Sequence, residues 1–150
     1  MRIPLFLLAA SLAAQATVVR HDLGHANRFD IQSNGKTVSV YGAGGNSDFT
    51  LLTHHRRDLV FQAKVDAIAP LAERDFFEKT REYWTGMAKK RFHYYTQQST
   101  KIFVEPVKVA RWVKDGDGVE WEGLRFEVID TPGFTRGAVS YFAVIDDKRC

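Results

Sequence analysis

The last third of the chain, from Val107 to Arg149, constrains the fold most. It alternates short apolar runs with turn-forming residues at intervals too brief for helices. Val107 to Val113 reads as a strand, Lys114-Asp115-Gly116-Asp117-Gly118 as a tight turn, and Val119 to Trp121 as a second strand. Glu122-Gly123 turns into a strand from Leu124 to Ile129 that is apolar at Leu124, Phe126, Val128 and Ile129. Asp130 to Gly137 is a loop in which Pro132 fixes φ and Gly133 is expected to supply a positive φ. Ala138 to Ile145 forms the next strand, closed by the turn Asp146-Asp147-Lys148.

The middle of the chain has a different period. Phe76, Phe77, Thr80, Tyr83, Trp84 and Met87 fall on one face of a helix predicted from Ala72 to about Phe92, with charged residues opposite. Core packing against a sheet accounts for that stripe. Further upstream, Arg28 to Ser33 and Lys36 to Tyr41 read as strands around the hairpin turn Ser33-Asn34-Gly35. Gly42 to Asp48 is a glycine-rich connector. It lacks the third glycine and the following helix of a dinucleotide fingerprint. Phe49 to Thr53 reads as a short buried strand. Strands, then helix, then strands, without a regular βαβ rhythm, indicate a mixed α/β sandwich and argue against a doubly wound sheet.

At 150 residues, with 45% apolar and 26% charged residues, the chain has the composition of one globular domain with a modest core. Its formal charge of +3 is spread among interleaved acids and bases, which excludes the basic footprint of a nucleic-acid binder. Residues 1–16 have the parts of a secretory leader: Arg2, an apolar run from Ile3 to Ala14, and the small-x-small site Ala14-Gln15-Ala16. The expectation is an exported domain at 17–150, periplasmic or secreted, with no membrane span once the leader is removed. Cys150 is the one cysteine, so no intrachain disulfide staples the fold.

The residues richest in chemistry follow the Phe49 to Thr53 strand: His54, His55, Arg56, Arg57 and Asp58. Imidazole and carboxylate at the end of a strand suit a zinc ion, which needs three or more such ligands. The two arginines oppose a divalent cation by repulsion. Arg56, Arg57 and Arg136 together form a candidate anion site, since clustered guanidinium groups suit phosphate or carboxylate.

Two ordered motifs resemble the metallo-β-lactamase fold superfamily. The first is Asp115-Gly116-Asp117, Trp121-Glu122-Gly123, Asp130-Thr131-Pro132-Gly133, Thr135, Gly137, Ser140 and Tyr141, similar to that superfamily's stretch around Thr-Pro-Gly-His-Thr. The second, Thr53-His54-His55-Arg56-Arg57-Asp58, looks like its Thr-His-x-His-x-Asp-His loop. The resemblance covers roughly Arg28 to Arg149 and implies the first half of an αββα sandwich. It also implies two zinc ions and hydrolysis of an ester, amide or phosphoester of a small-molecule substrate by metal-bound hydroxide. Carried over by position, His54 is a ligand of the first zinc, and Asp58 is a ligand of the second and part of the catalytic centre. Arg56, Leu59 and Phe134 stand where the superfamily has histidines, and Phe134 is expected to fill the volume of the missing imidazole and metal. The later ligands are expected after Cys150.

A guanidinium is always protonated and cannot coordinate a metal, so the set is incomplete. The expectation is therefore a truncated or degenerate hydrolase relative, weak or inactive alone, with Arg56 paired to Asp58. The alternative is a non-catalytic binding protein that keeps the fold without zinc. An isolated half-fold is also expected to self-associate through its exposed sheet face.

Overall fold

The computed structural model describes residues 15–24, 27–41, 47–55, 66–83, 86 and 107–150. Its larger sheet has the strands β1 (Ala16–Asp22), β2 (Asn27–Ser33), β3 (Lys36–Val40), β4 (Phe49–Leu51), β5 (Ala67–Pro70) and β6 (Val109–Val113), in that spatial order. The pairs β1/β2 and β2/β3 are antiparallel, whereas β3, β4, β5 and β6 run parallel. After β5, a 3₁₀ turn (Leu71–Glu73) leads into helix α1 (Arg74–Glu78), and residues 80–83 are also helical. The second sheet is the antiparallel meander β7 (Gly118–Trp121), β8 (Leu124–Asp130) and β9 (Val139–Phe142). A ribbon of β10 (Val144–Ile145) and β11 (Lys148–Arg149) follows it.

Turn chemistry sets the hairpins. Asn34 and Gly35 (φ 49° and 75°), Glu122 and Gly123 (44° and 81°), and Asp146 and Asp147 (49° and 61°) each place two positive-φ residues between paired strands. That is the two-residue turn whose twist matches the flanking strands.

Two apolar clusters cover the two faces of the larger sheet. Between the sheets, Ile31, Val38 and Leu51 meet Phe126, Val128 and Val139, all buried. On the opposite face, Leu52, Ala67 and Ala69 pack with Phe77 of α1 and Val107. Successive residues Leu51 and Leu52 thus serve different layers, the alternation expected of a strand covered on both sides. The result is the mixed α/β sandwich read from the sequence.

Several boundaries differ from expectation. Strands β1 and β5 are additional to the expected elements, although β1 carries the β-branched run Thr17-Val18-Val19. Of β1 only Ala16 is buried, and β5 is a four-residue Ala-Ile-Ala-Pro strand placed by parallel neighbours. The run from Ala138 to Ile145 breaks at Ala143, which exchanges backbone hydrogen bonds with Cys150 and so starts the ribbon. Gly133 does not take a positive φ; its N–H donates to the Thr135 carbonyl at 3.0 Å and closes the loop another way. Of the predicted aromatic stripe, Phe77 and Thr80 are buried and Phe76 and Tyr83 half-buried, so it packs into the core. Trp84 and Met87 lie outside the described residues, as do residues 1–14 of the expected leader. Ala16, the last residue of the expected leader, is buried and pairs with Ser33. No helix among the described residues is long and apolar enough to cross a membrane.

Candidate functional site

Three neighbouring parallel strands end at the same edge, and each delivers a side chain there. Tyr41 directly follows β3, Thr53, His54 and His55 follow β4, and Glu73 closes the 3₁₀ turn that follows β5. Crevices at the carboxyl ends of strands are where open α/β sheets bind ligands, because loops there can converge without breaking sheet hydrogen bonds. The β8–β9 loop, residues 131–138, closes the site from the other sheet. Directly after the loop, the Val139 N–H donates to the Thr53 carbonyl at 2.8 Å. Tyr141 adds a second tie, its hydroxyl donating to the carbonyls of Leu52 (3.1 Å) and Ile68 (3.4 Å). Burial pushes that phenol well above its ordinary pKa, so it remains a donor.

His54 is the centre of this arrangement. Its Nδ1 lies 2.9 Å from the Thr53 hydroxyl and its Nε2 lies 3.3 Å from the Tyr41 hydroxyl. The Tyr41 ring lies 5.1 Å from the imidazole and the Phe134 ring 4.9 Å, both tilted. Tyr41 takes the left-handed conformation (φ 64°), which bends the chain at the end of β3 as its ring meets His54. Phe134 is 73% exposed. It therefore lies over the imidazole at the surface and fills no buried volume, contrary to expectation, because the loop carries it across the mouth of the site.

His55 turns the other way, into the core. It is 5% exposed, with the Phe77 ring 4.9 Å away and Phe76 at 6.2 Å. Burial lowers its pKa to about 4; its backbone hydrogen bond opposes the shift, and the nearby charge of His54 adds to it. The His55 backbone N–H donates to Glu73 Oε2. Glu73 itself is 1% exposed.

Asp58, Arg56, Arg57 and Leu59 lie outside the described residues, and with them the expected Arg56–Asp58 pair. Arg136 is described and exposed. Tyr41 and Glu73 are not among the residues that the sequence singles out. Their only signal is that each follows the end of a strand, which is visible once the parallel order of β3, β4 and β5 is known.

The described residues do not fit a zinc ion. Of the ligand positions expected from the resemblance, His54 and Phe134 are among the described residues, and of these only His54 carries a donor atom. Both ring nitrogens of His54 are within hydrogen-bond reach of hydroxyl groups, so coordination would displace Tyr41 or Thr53. No three His, Cys, Asp or Glu side chains converge among the described residues.

A separate polar cluster lies on the helix-side face of β1, β2 and β3. Asp30 accepts hydrogen bonds from Arg28 Nε (2.9 Å) and Nη2 (3.1 Å) and from Ser39 Oγ (2.6 Å), with His21 Nε2 at 2.9 Å. Burial alone would raise this carboxyl. The hydrogen bonds from Ser39 and Arg28 and the charges of Arg28 and His21 outweigh it and hold the carboxyl below its ordinary range. Between the two sheets, an apolar cavity of about 360 Å³ is lined by residues including Val18, Phe29, Ile31, Phe126 and Ile145.

The architecture is that of an α/β sandwich with its site at the strand ends, and solved structures identify it further. The subclass B3 metallo-β-lactamase BJP-1 of Bradyrhizobium japonicum superposes with a TM-score of 0.59 at 17% identity, covering 82% of this chain and 53% of that one. FEZ-1 metallo-β-lactamase of Legionella gormanii gives 0.58 at 16% identity, covering 91% and 59%. A Cronobacter sakazakii metallo-β-lactamase described by its HARLDQ motif gives 0.54 at 16% identity, covering 82% and 53%. The chain has the metallo-β-lactamase fold, and it spans about half the length of these structures. In sequence, it is 43% identical to hydroxyacylglutathione hydrolase of Aeromonas hydrophila over 42 residues, 28% of this chain and 16% of that protein. No protein-family model matches the chain.

Proposed function

We propose that the chain is a relative of metal-dependent hydrolases whose own zinc site is degenerate, leaving it weak or inactive in hydrolysis by itself. The observation that carries this reading is the state of His54. Its two nitrogens face the Thr53 and Tyr41 hydroxyls, and Phe134 lies over the ring where a third imidazole would stand. The likeness to hydroxyacylglutathione hydrolase supports hydrolytic ancestry and an acyl ester or thioester as the ancestral substrate class. In this reading, the site's remaining capacity is to bind a small molecule against Tyr41, His54 and Phe134.

One observation favours a second reading, an active metallohydrolase. The Cronobacter sakazakii motif, His-Ala-Arg-Leu-Asp-Gln, has histidine, arginine and aspartate at its first, third and fifth places. His54, Arg56 and Asp58 repeat that order here. Arginine at the third place therefore occurs in a protein described as a metallo-β-lactamase. Phe134 is a further departure that this parallel does not cover.

Zinc content after exhaustive dialysis, measured together with hydrolysis of chromogenic esters, thioesters and a β-lactam, separates the two. Stoichiometry near zero and rates indistinguishable from buffer support the degenerate site. At least one zinc per chain with turnover that a chelator abolishes refutes it and establishes the second reading.

A further inference from the structure

We propose that Glu73 is the positioning residue of the His54 site, holding the strand-end loop in register through the His55 peptide. The chemistry of its burial is the starting point. Glu73 is 1% exposed, yet among the described residues only Oε2 has a hydrogen-bond partner, the His55 N–H, while Oε1 is buried with none. A buried carboxylate with an unsatisfied oxygen is costly, and an apolar side chain of the same length would fill the space but supply no acceptor for the His55 N–H. Core packing therefore does not account for a glutamate at this position.

What the carboxylate does is specific. The peptide whose N–H it accepts joins His54, which faces Tyr41 and Phe134, to His55, which faces Phe77. Fixing that peptide plane fixes which histidine faces the site and which faces the core. The Glu73 stem also supports the opposite wall. A Cβ at Gly137 would lie 2.7 Å from Glu73 Cγ and 2.9 Å from Ala72 Cβ, so the β8–β9 loop rests directly on this turn. Glu73 thus touches both segments that bring His54 and Phe134 together.

The proposal rests on reading His54 as the centre of the site. Zinc content and turnover judge whether that centre is degenerate, whereas the state of the ring in the full chain, without added metal, judges Glu73.

The test uses ¹⁵N NMR of the full chain, recording the His55 amide and the His54 ring nitrogens, with thermal melting alongside. Glu73→Met keeps the volume and removes the acceptor, and Glu73→Gln keeps an acceptor oxygen. Val119→Ala, on β7 in the core between the sheets, supplies destabilisation away from the site. We expect Glu73→Met to shift the His55 amide upfield and displace the His54 ring signals, Glu73→Gln to retain the wild-type ring signals, and Val119→Ala to leave them in place. Unchanged ring signals in Glu73→Met, or equal displacement in Glu73→Gln or Val119→Ala, overturns the proposal. If Glu73→Met does not fold, Gly137→Ala decides. It presses on the Glu73 stem without removing the acceptor, and unchanged His55 and His54 signals in the folded variant overturn the proposal equally.

Discussion

Replacing His55 by phenylalanine should remove a defined part of the protein's acid sensitivity. The imidazole is 5% exposed and burial lowers its pKa to about 4, against an ordinary value of 6.5 that it regains on unfolding. Above pH 6.5 both states are neutral and the shift has no effect on stability. Below it the unfolded chain takes up a proton that the folded chain refuses, so stability falls with pH until about pH 4, where the folded state also titrates. With about 1.4 kcal/mol per unit, the linkage amounts to a loss of about 2 kcal/mol by pH 5 and about 3 kcal/mol by pH 4. Phenylalanine keeps an aromatic ring against Phe76 and Phe77 and cannot titrate. Asp30 does not confuse the window: its carboxyl is held below its ordinary 3.8, so its contribution is present above that value and is lost only at lower pH. The assay is urea unfolding of both proteins at pH 7, 6, 5 and 4.5. The wild type should lose about 2 kcal/mol more than His55→Phe between pH 7 and pH 5. Parallel profiles, differing by less than about 0.5 kcal/mol across that range, would show that His55 is neither buried nor shifted as described.

Other perturbations test other parts of the fold. Asp30→Asn removes the charge that Arg28, Ser39 and His21 surround, and urea unfolding at pH 7 should show a loss of about 3 kcal/mol; a loss below about 1 kcal/mol would mean the cluster is solvated. Tyr141→Phe removes the hydroxyl that ties β9 to the backbone of Leu52 and Ile68 and should cost about 1 kcal/mol, seen as a lower denaturation midpoint with an unchanged slope. Self-association through the sheet face, expected from the sequence, predicts a mass that rises with concentration in sedimentation equilibrium. A constant monomer mass would count against it.

Much of the framework was legible because it depends on local physics. The hairpin turn at Asn34-Gly35 announces itself through residues that tolerate positive φ, and the strand from Leu124 to Ile129 through its apolar residues, of which Leu124, Phe126 and Val128 are buried and Ile129 is exposed. The likeness of the Thr-Pro-Gly-Phe-Thr and Thr-His-His-Arg-Arg-Asp segments to metallo-β-lactamase motifs carried the fold, and superposition on solved structures bears it out.

Other features have no local signature. Ala67 to Pro70 becomes a strand because parallel neighbours on both sides complete its hydrogen bonds, and nothing in Ala-Ile-Ala-Pro encodes those neighbours. The sequence by itself determined that His54 directly follows the apolar run Phe49 to Thr53, and that Arg56, Leu59 and Phe134 stand where the resemblance leads one to expect histidines. Only the tertiary structure decided what surrounds it. Tyr41 is 13 residues from His54 along the chain and Phe134 is 80, yet the parallel order of β3 and β4 and the fold-back of the β8–β9 loop bring both rings within about 5 Å. Glu73 reached the same edge by the same route, through the end of β5, and its burial there is a property of the assembled strands alone.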